Sequence, residues 1–519
     1  MTEQTGGAGD GLPGPSFIIL GAGFSGLGMA IRLRQEGFGN VAIYEKADEV
    51  GGTWRENVYP GVACDVPSHL YSFSFEPNPD WSRRFSPGAE IQAYLERCAR
   101  EYDLYPSIRF GKKALRAAHD GRRWRVDFED GETAEADYLI SGLGGLHEPN
   151  IPEFKDMDAF HGPVFHTARW REDVDLAGRR VAVIGSAASA VQVIPEIVGK
   201  VAHLDIYQRT PNWVMPRESY AYPDWLKRIF ARAPWLMRLY RGLYFSFMEW
   251  RFGSFRNEDN AAKRVVRRTF DRHMTAQIRD EALRAKLTPD YPVGCKRILI
   301  SDDYLPAVQR ENVDLVTEPI EAFTAEGVAT ADGKTRPADV IILATGFKPF
   351  DILTAFEVTG PSGLSLREAW KDGIAAHRTV AAPGFPNFFL LLGPNSGLGH
   401  NSVVLMIEAQ ANYILKLIRA ADAAPGALIE PTPDAARAYD ADIQARLGKR
   451  VWATGCGAWY VDENGRNYTL YPDNVRAFLK EMKTPDLGEY VITMQGAVGE
   501  SVLSSSALWS SRGEGGGAP

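Results

Sequence analysis

Apolar residues along the 519-residue chain fall into two patterns, short unbroken runs and runs spaced three and four apart, which follow one another in a strand–helix order. Ser16 to Leu20 (SFIIL) is a short apolar run. It ends in Gly21-Ala22-Gly23-Phe24-Ser25-Gly26, after which LGMAIRLRQEG carries apolar residues at helical spacing and VAIYEK supplies a second strand. Residues 89 to 103 (AEIQAYLERCAREYD) predict an amphipathic helix, and RWRVDFEDGETAEADYLISGLG predicts a hairpin through Asp130-Gly131 and then a buried strand. The order restarts at RRVAVIG, where Gly185-Ser186-Ala187-Ala188-Ser189-Ala190 opens the apolar helix VQVIPEIVGK, followed by the strand HLDIYQ. Residues 224 to 286 are helical, aromatic and mostly basic, and their stripe of Trp235, Leu239, Leu243 and Phe247 fits core packing better than a membrane-surface face. DVIILATGFKPF, at 339 to 350, predicts a buried strand returning to the first sheet, and FPNFFLLLGPNSGLGHNS a strand and loop before the helix VVLMIEAQANYILKLI. Residues 51 to 65 and 452 to 473 read as long ordered loops, which in a compact domain are usually functional.

This repeated order predicts an α/β fold with two Rossmann-like dinucleotide-binding domains and a helical insertion in the second. The first domain covers 16–148 and resumes over 326–500 with C-terminal elements; the second covers 149–325, with its insertion at about 220–290. Residues 1–15 and 501–519 read as a disordered and a flexible tail. Hydrophobic residues at 45% and charged residues at 24% are ordinary globular usage, and a formal net charge of -8 argues against a nucleic-acid surface. No apolar run reaches the about 18 residues of a spanning helix. Four widely spaced cysteines (Cys64, Cys98, Cys295, Cys456), with no C-x-x-C, fit a reducing cytoplasm and no structural metal.

The chemistry of the glycine turns is specific. In the first, Gly21 makes the tight turn, Gly23 lets the backbone reach a pyrophosphate, Gly26 lets helix pack on strand, and Glu45, 19 residues beyond Gly26, accepts from ribose hydroxyls. In the second, Arg209 ends the strand where an NAD-preferring fold places an acid, and a guanidinium there suits the ribose phosphate of NADPH. Ala187 stands where the second glycine would approach the pyrophosphate. Lys296 and Arg297 make a compact cationic turn after Gly294. Asn395, Ser396, His400 and Asn401 precede a helix and are placed to meet a cofactor. Between the two turns lies a joint, Phe160 to Arg171, whose His166 and Trp170 read either as packed linker residues or as coupling groups between two cofactors.

Two stretches carry a family resemblance. Phe160, Gly162, His166 and Trp170 form F-x-G-x-x-x-H-x-x-x-W, which resembles the fingerprint of the type I Baeyer-Villiger monooxygenases, within the class B flavoprotein monooxygenases. Gly52, Trp54, Tyr59, Pro60, Gly61 and Asp65 resemble that family's second signature, and the likeness runs from about residue 16 to about 480. Arg171 stands where the fingerprint usually closes with Pro or Asp. The resemblance implies FAD in the first domain and NADPH in the second, and a flavin peroxide that converts a ketone to an ester or lactone. It implies that Arg297 supplies fixed positive charge, that Asp65 holds it, that Lys296 and Arg209 read the ribose phosphate, and that His166 and Trp170 couple the domains. It further implies cofactor contacts by Ser25, Thr53, Trp54, Tyr71, Gly185, Ser186, Ser189 and Gln192. The expected partners are a small-molecule ketone and oxygen, with no nucleic acid and no transmembrane segment, in a monomer or homodimer. Alternatives are an N- or S-oxygenating member of the class and an NADPH-binding flavoprotein without productive oxygenation.

Overall fold

A computed structural model of the chain describes residues 14–348, 356–424, 426–457, 460–462 and 464–494. The expected C-terminal tail, and the N-terminal tail up to residue 13, lie outside the described residues. In chain order the principal elements are β1 (Phe17–Leu20), α1 (Phe24–Gln35), β2 (Val41–Tyr44), α2 (Gly88–Glu101), β3 (Ile108–Arg109) and β4 (Tyr138–Ser141). There follow β5 (Val164–His166), β6 (Arg180–Ile184), α3 (Ala190–Ile197), β7 (His203–Tyr207), α4 (Asp224–Arg232), α5 (Pro234–Arg251) and α6 (Ala261–Gln277). The last are β8 (Val313–Val316), β9 (Val340–Leu343), β10 (Phe388–Leu390) and α7 (Val403–Asp422).

Two five-stranded parallel sheets result, in the orders β10-β4-β1-β2-β3 and β8-β7-β6-β9-β5. A parallel sheet is covered on both faces, so its central strands run almost continuously apolar. In β1, Phe17 and Ile19 enter one core cluster while Ile18 and Leu20 enter another; in β6, Val181 and Val183 divide from Ala182 and Ile184 in the same way. The predicted hairpin joins Ala114–His119, Trp124–Phe128 and Thr133–Ala136 with Glu357–Thr359 in a small sheet over the first domain.

Three expectations need correction. The strand β9 does not return to the first sheet: it pairs with β6 and β5 in the second, and the return comes after residue 344. An all-apolar strand fits either sheet, and only tertiary pairing decides between them. The loop over 51–65 contains a helical turn, Thr53–Glu56, started by Gly52 at φ 55°. The stripe on α5 is not core, since Trp235, Leu239, Leu243 and Phe247 are all exposed.

The two crossings between the sheets run side by side. Asn150 N–H donates to the Gly346 carbonyl (2.9 Å), Lys348 N–H to Glu148 (3.0 Å) and Thr345 Oγ1 to the Asn150 carbonyl (2.6 Å). The widely spaced cysteines, read as fitting a reducing cytoplasm, include one joined pair, because residues remote in sequence meet in the fold: Cys295 and Cys456 form a disulfide across a sequence separation of 161, while Cys64 and Cys98 are free and buried.

Candidate active site

The first glycine turn is built as its sequence requires. Gly21 adopts φ 96°, and a Cβ at Gly26 would stand 1.8 Å from the Gly21 carbonyl oxygen, so α1 can start against β1 only with glycine there. Helix α1 begins after Gly23 with no capping side chain and no acid in its first turn, which leaves the positive end of its dipole to an anion. A Cβ at Gly23 would meet the Gly52 Cα at 3.5 Å, so the two backbones form a narrow cleft whose floor a pyrophosphate fits. Glu45 is buried; one carboxylate oxygen accepts the Ala22 N–H (2.7 Å) and the other the Ala47 N–H (2.9 Å). It therefore braces the turn, and each oxygen keeps a lone pair for a ribose hydroxyl. Ser25 is buried in the first turn of α1, and Thr53 opens the short helix after Gly52. Trp54 Nε1 donates to Tyr71 Oη (3.2 Å) with the rings edge-to-face, and burial raises the Tyr71 phenol far above its usual range.

In the second turn Gly185 adopts φ 112°, where a Cβ would meet the Ala344 carbonyl oxygen at 2.4 Å. Ala190 is fully buried at the third position, whereas Ala187 is exposed and its methyl is not packed against the protein. Helix α3 follows Ser189 without a capping bond or a first-turn acid, an end that fits a second phosphate. Ser186 Oγ donates to the Thr210 carbonyl (3.4 Å). Gln192 bridges the modules: its Nε2 donates to the Ala63 carbonyl (2.9 Å) and its Oε1 accepts from Tyr59 Oη (2.9 Å). Lys296 stands over the Tyr291 ring at 4.9 Å, and its pKa is lowered by burial and then by the charge of exposed Arg209. Two cations that oppose each other in this way are relieved by an anion between them.

The joint places its four signature residues at the edge of the second sheet. Phe160 is buried beneath Gly162, whose Cβ would stand 2.4 Å from the Asp339 carbonyl oxygen and 2.7 Å from the Phe160 ring. His166 is buried at the end of β5; its Nδ1 accepts the Ala168 N–H (3.0 Å), its ring lies 5.8 Å from Phe347 on the return crossing, and burial lowers its pKa to about 4. Trp170 packs edge-on to Phe165 at 5.3 Å. Arg171 is exposed and paired with Asp173, so its departure from the fingerprint costs no buried partner.

The cationic turn meets the loop of the first domain directly. Arg297 Nε and Nη2 donate to one oxygen of Asp65 at 2.9 and 2.6 Å, with side-chain exposures of 39% and 30%. That charge raises the Arg297 pKa further. Residues with no sequence signal complete the surroundings. Arg217 donates to the Cys64 carbonyl (3.3 Å), and Arg251, lowered by burial, feels the charges of both Asp65 and Arg297. Tyr460 Oη donates to the Cys295 carbonyl (2.6 Å) and Trp452 Nε1 to that of Gly294 (3.1 Å), so the cationic turn is held from the 452–473 loop. Asn395, Ser396, His400 and Asn401 are buried with side chains engaged inside the protein: Asn395 with Asn467 and Leu470, Ser396 with Gly393, and the last two with Glu249.

Comparison with known proteins agrees with the two-module fold. A family model described as an NAD(P)-binding Rossmann-like domain matches residues 19–86, and one described as L-lysine 6-monooxygenase/L-ornithine 5-monooxygenase matches residues 67–227. A Baeyer-Villiger monooxygenase of Streptomyces coelicolor is 44% identical over 478 residues, covering 91% of this chain and 92% of the relative. Among solved structures, cyclohexanone monooxygenase from Rhodococcus sp. Phi1 bound to NADP+ superposes with a TM-score of 0.82 at 26% identity, over 92% of this chain and 99% of that one. OTEMO in complex with FAD and NADP superposes with a TM-score of 0.81 at 26% identity, over 92% and 99%.

Proposed function

The chain belongs to the Baeyer-Villiger monooxygenase family, and from that membership we propose that Arg297 and Asp65 carry its chemistry while the two glycine turns hold its cofactors. It is an FAD-containing, NADPH- and oxygen-dependent monooxygenase that converts a ketone to an ester or lactone. FAD held at the first glycine turn would supply the redox chemistry, accepting reducing equivalents from NADPH and activating oxygen. Gly21, Gly23, Ser25, Gly26, Glu45, Thr53, Trp54 and Tyr71 are assigned to FAD; Gly185, Ser186, Ser189, Arg209 and Lys296 to NADPH. Gln192 serves the NADPH side by fixing α3 to the loop at Tyr59 and Ala63. Phe160, Gly162, His166 and Trp170 couple NADPH to domain rotation through the crossing at Phe347.

The observation that carries the reading is the Arg297–Asp65 pair, formed across 232 residues of chain. Asp65 takes Nε and Nη2, which leaves Nη1 to face an oxygen that gains negative charge as a carbonyl is attacked. A fixed guanidinium stabilises such charge without reorganising, and loss of one such donor costs roughly 10²–10³ in rate. Arg297→Ala is therefore expected to keep its FAD and its NADPH oxidation, to release hydrogen peroxide, and to form ester roughly a hundredfold more slowly or worse. Ester formation at the parent rate would refute the assignment. The match to an L-lysine/L-ornithine monooxygenase model favours an N-oxygenating second reading, but its span of 67–227 leaves out both Asp65 and Arg297. Turnover of amines or sulfides with no conversion of any ketone to an ester would support it.

We assign residues 16–148 and the described residues between 345 and 494 to the FAD domain and 149–344 to the NADPH domain, by the sheet each strand joins. No helix among the described residues is long and apolar enough to cross a membrane. A cytoplasmic location is proposed because NADPH is regenerated there, and a monomer or homodimer as the working state; sedimentation equilibrium of the holoenzyme decides between them.

A further inference from the structure

Helix α5 presents an apolar stripe to solvent along its whole length. Trp235, Leu239, Leu243, Phe247 and Trp250 are 62, 56, 63, 48 and 48% exposed, at spacings of four, four, four and three residues. They cover about 22 Å of one helix face at 1.5 Å per residue. Trp225 and Ile229 of the neighbouring α4 add 58 and 38% exposed apolar surface. Contiguous exposed patches of this kind mark an interaction surface.

The stripe cannot turn inward, because the opposite face of the helix is fixed. Glu249 is buried and accepts from Asn401 Nδ2 (2.9 Å) and the backbone N–H groups of Val475 (3.2 Å) and Arg476 (2.9 Å). Arg241 donates to the carbonyls of His69 (2.6 Å) and Ser72 (3.1 Å). The exposed face is thus left uncovered by the described residues and open to a partner.

Charge selects the partner. Of the six Lys or Arg in residues 224 to 251, Lys227 pairs with Asp224 while Arg241 and Arg251 face the protein, which leaves Arg228, Arg232 and Arg238 at the surface of a chain whose net charge is -8. Arg228, Arg232 and Arg238 are exposed and make no ion pair with the described residues. A second copy packed face to face about a two-fold axis would bring this cationic surface against itself, and like charges oppose that arrangement. A tryptophan stands at each end of the stripe, and tryptophan prefers the water–lipid boundary. We propose that α4 and α5 dock the enzyme on the surface of an anionic phospholipid bilayer, with the stripe in the acyl boundary and Arg228, Arg232 and Arg238 among the headgroups.

The test is sedimentation of the full-length holoenzyme with vesicles of phosphatidylcholine alone or with phosphatidylglycerol added. Binding is expected to the anionic vesicles, to weaken with salt, and to fall about fivefold for each charge removed in Arg228→Gln and Arg238→Gln. The double variant Leu243→Glu with Phe247→Glu should lose binding by about tenfold or more while keeping its FAD content and NADPH oxidation, which shows that it folds. Absence of binding to anionic vesicles, or equal binding by the double variant, overturns the proposal. So does a parent dimer, without vesicle binding, that the double variant dissociates, which would assign the stripe to a second copy.

Discussion

Burial pushes the imidazole pKa of His69, His119 and His166 down from 6.5 to about 4. In the unfolded chain these rings take up protons near the ordinary value of about 6.5, while the folded protein refuses them until much lower pH. The stability they contribute is present above about pH 6.5 and is lost as pH falls towards about 4. The melting temperature at about pH 5 should therefore lie below that at about pH 7, and a flat profile would contradict the burial of these rings. His166 consequently works as a neutral acceptor at the domain joint rather than as a charge. Single residues were legible where a motif fixes the geometry: Gly21 and Gly26 make the close approaches their turn requires, and Asp65 meets Arg297. Partners that belong to no motif were not legible. Gln192 reads as a cofactor contact but ties α3 to Ala63 and Tyr59, and His400 and Asn401 read as cofactor contacts but serve Glu249, about 150 residues earlier.

Each Rossmann turn is legible as an element because its three small residues answer to different neighbours. That separation makes a paired prediction. Gly26→Ala places a methyl against the Gly21 carbonyl oxygen and must lift α1 from β1, an overpacking of about 3 kcal/mol or more, with loss of FAD. Gly23→Ala meets the Gly52 Cα at 3.5 Å, an ordinary contact, so it should fold with nearly the parent melting temperature while binding FAD more weakly. Equal melting temperatures for the two would refute this division; FAD content and thermal unfolding measure both. Elements were misplaced where the pattern has no direction. Strand β9 is apolar at every position and carries nothing that names its sheet, and α5 has an apolar stripe at core spacing that tertiary packing left outside. The turn Thr53–Glu56 escaped notice because Gly52, not a hydrophobic period, starts it.

At the scale of the molecule, the two-module plan was visible from the repeat, and the outward crossing was expected near residue 148, between strands β4 and β5. The return was misplaced, so the second sheet is one strand larger than its sequence boundary implies. The crossings pair through Asn150 and Gly346, giving the modules a short joint beside the second glycine turn at Gly185. The disulfide adds a different kind of connection, because the segment it closes holds strands of both sheets, β8 and β9 in one and β10 in the other. In mechanical terms the oxidised chain is a ring with two free arms. A stretching force applied between its ends can draw out the arms but not the ring, whose two cysteines lie 161 residues apart in sequence, so breaking the Cys295–Cys456 bond should release that hidden length. The gain in contour is about 550 Å at full extension, and equal lengths for the oxidised and reduced chains would mean that no ring exists.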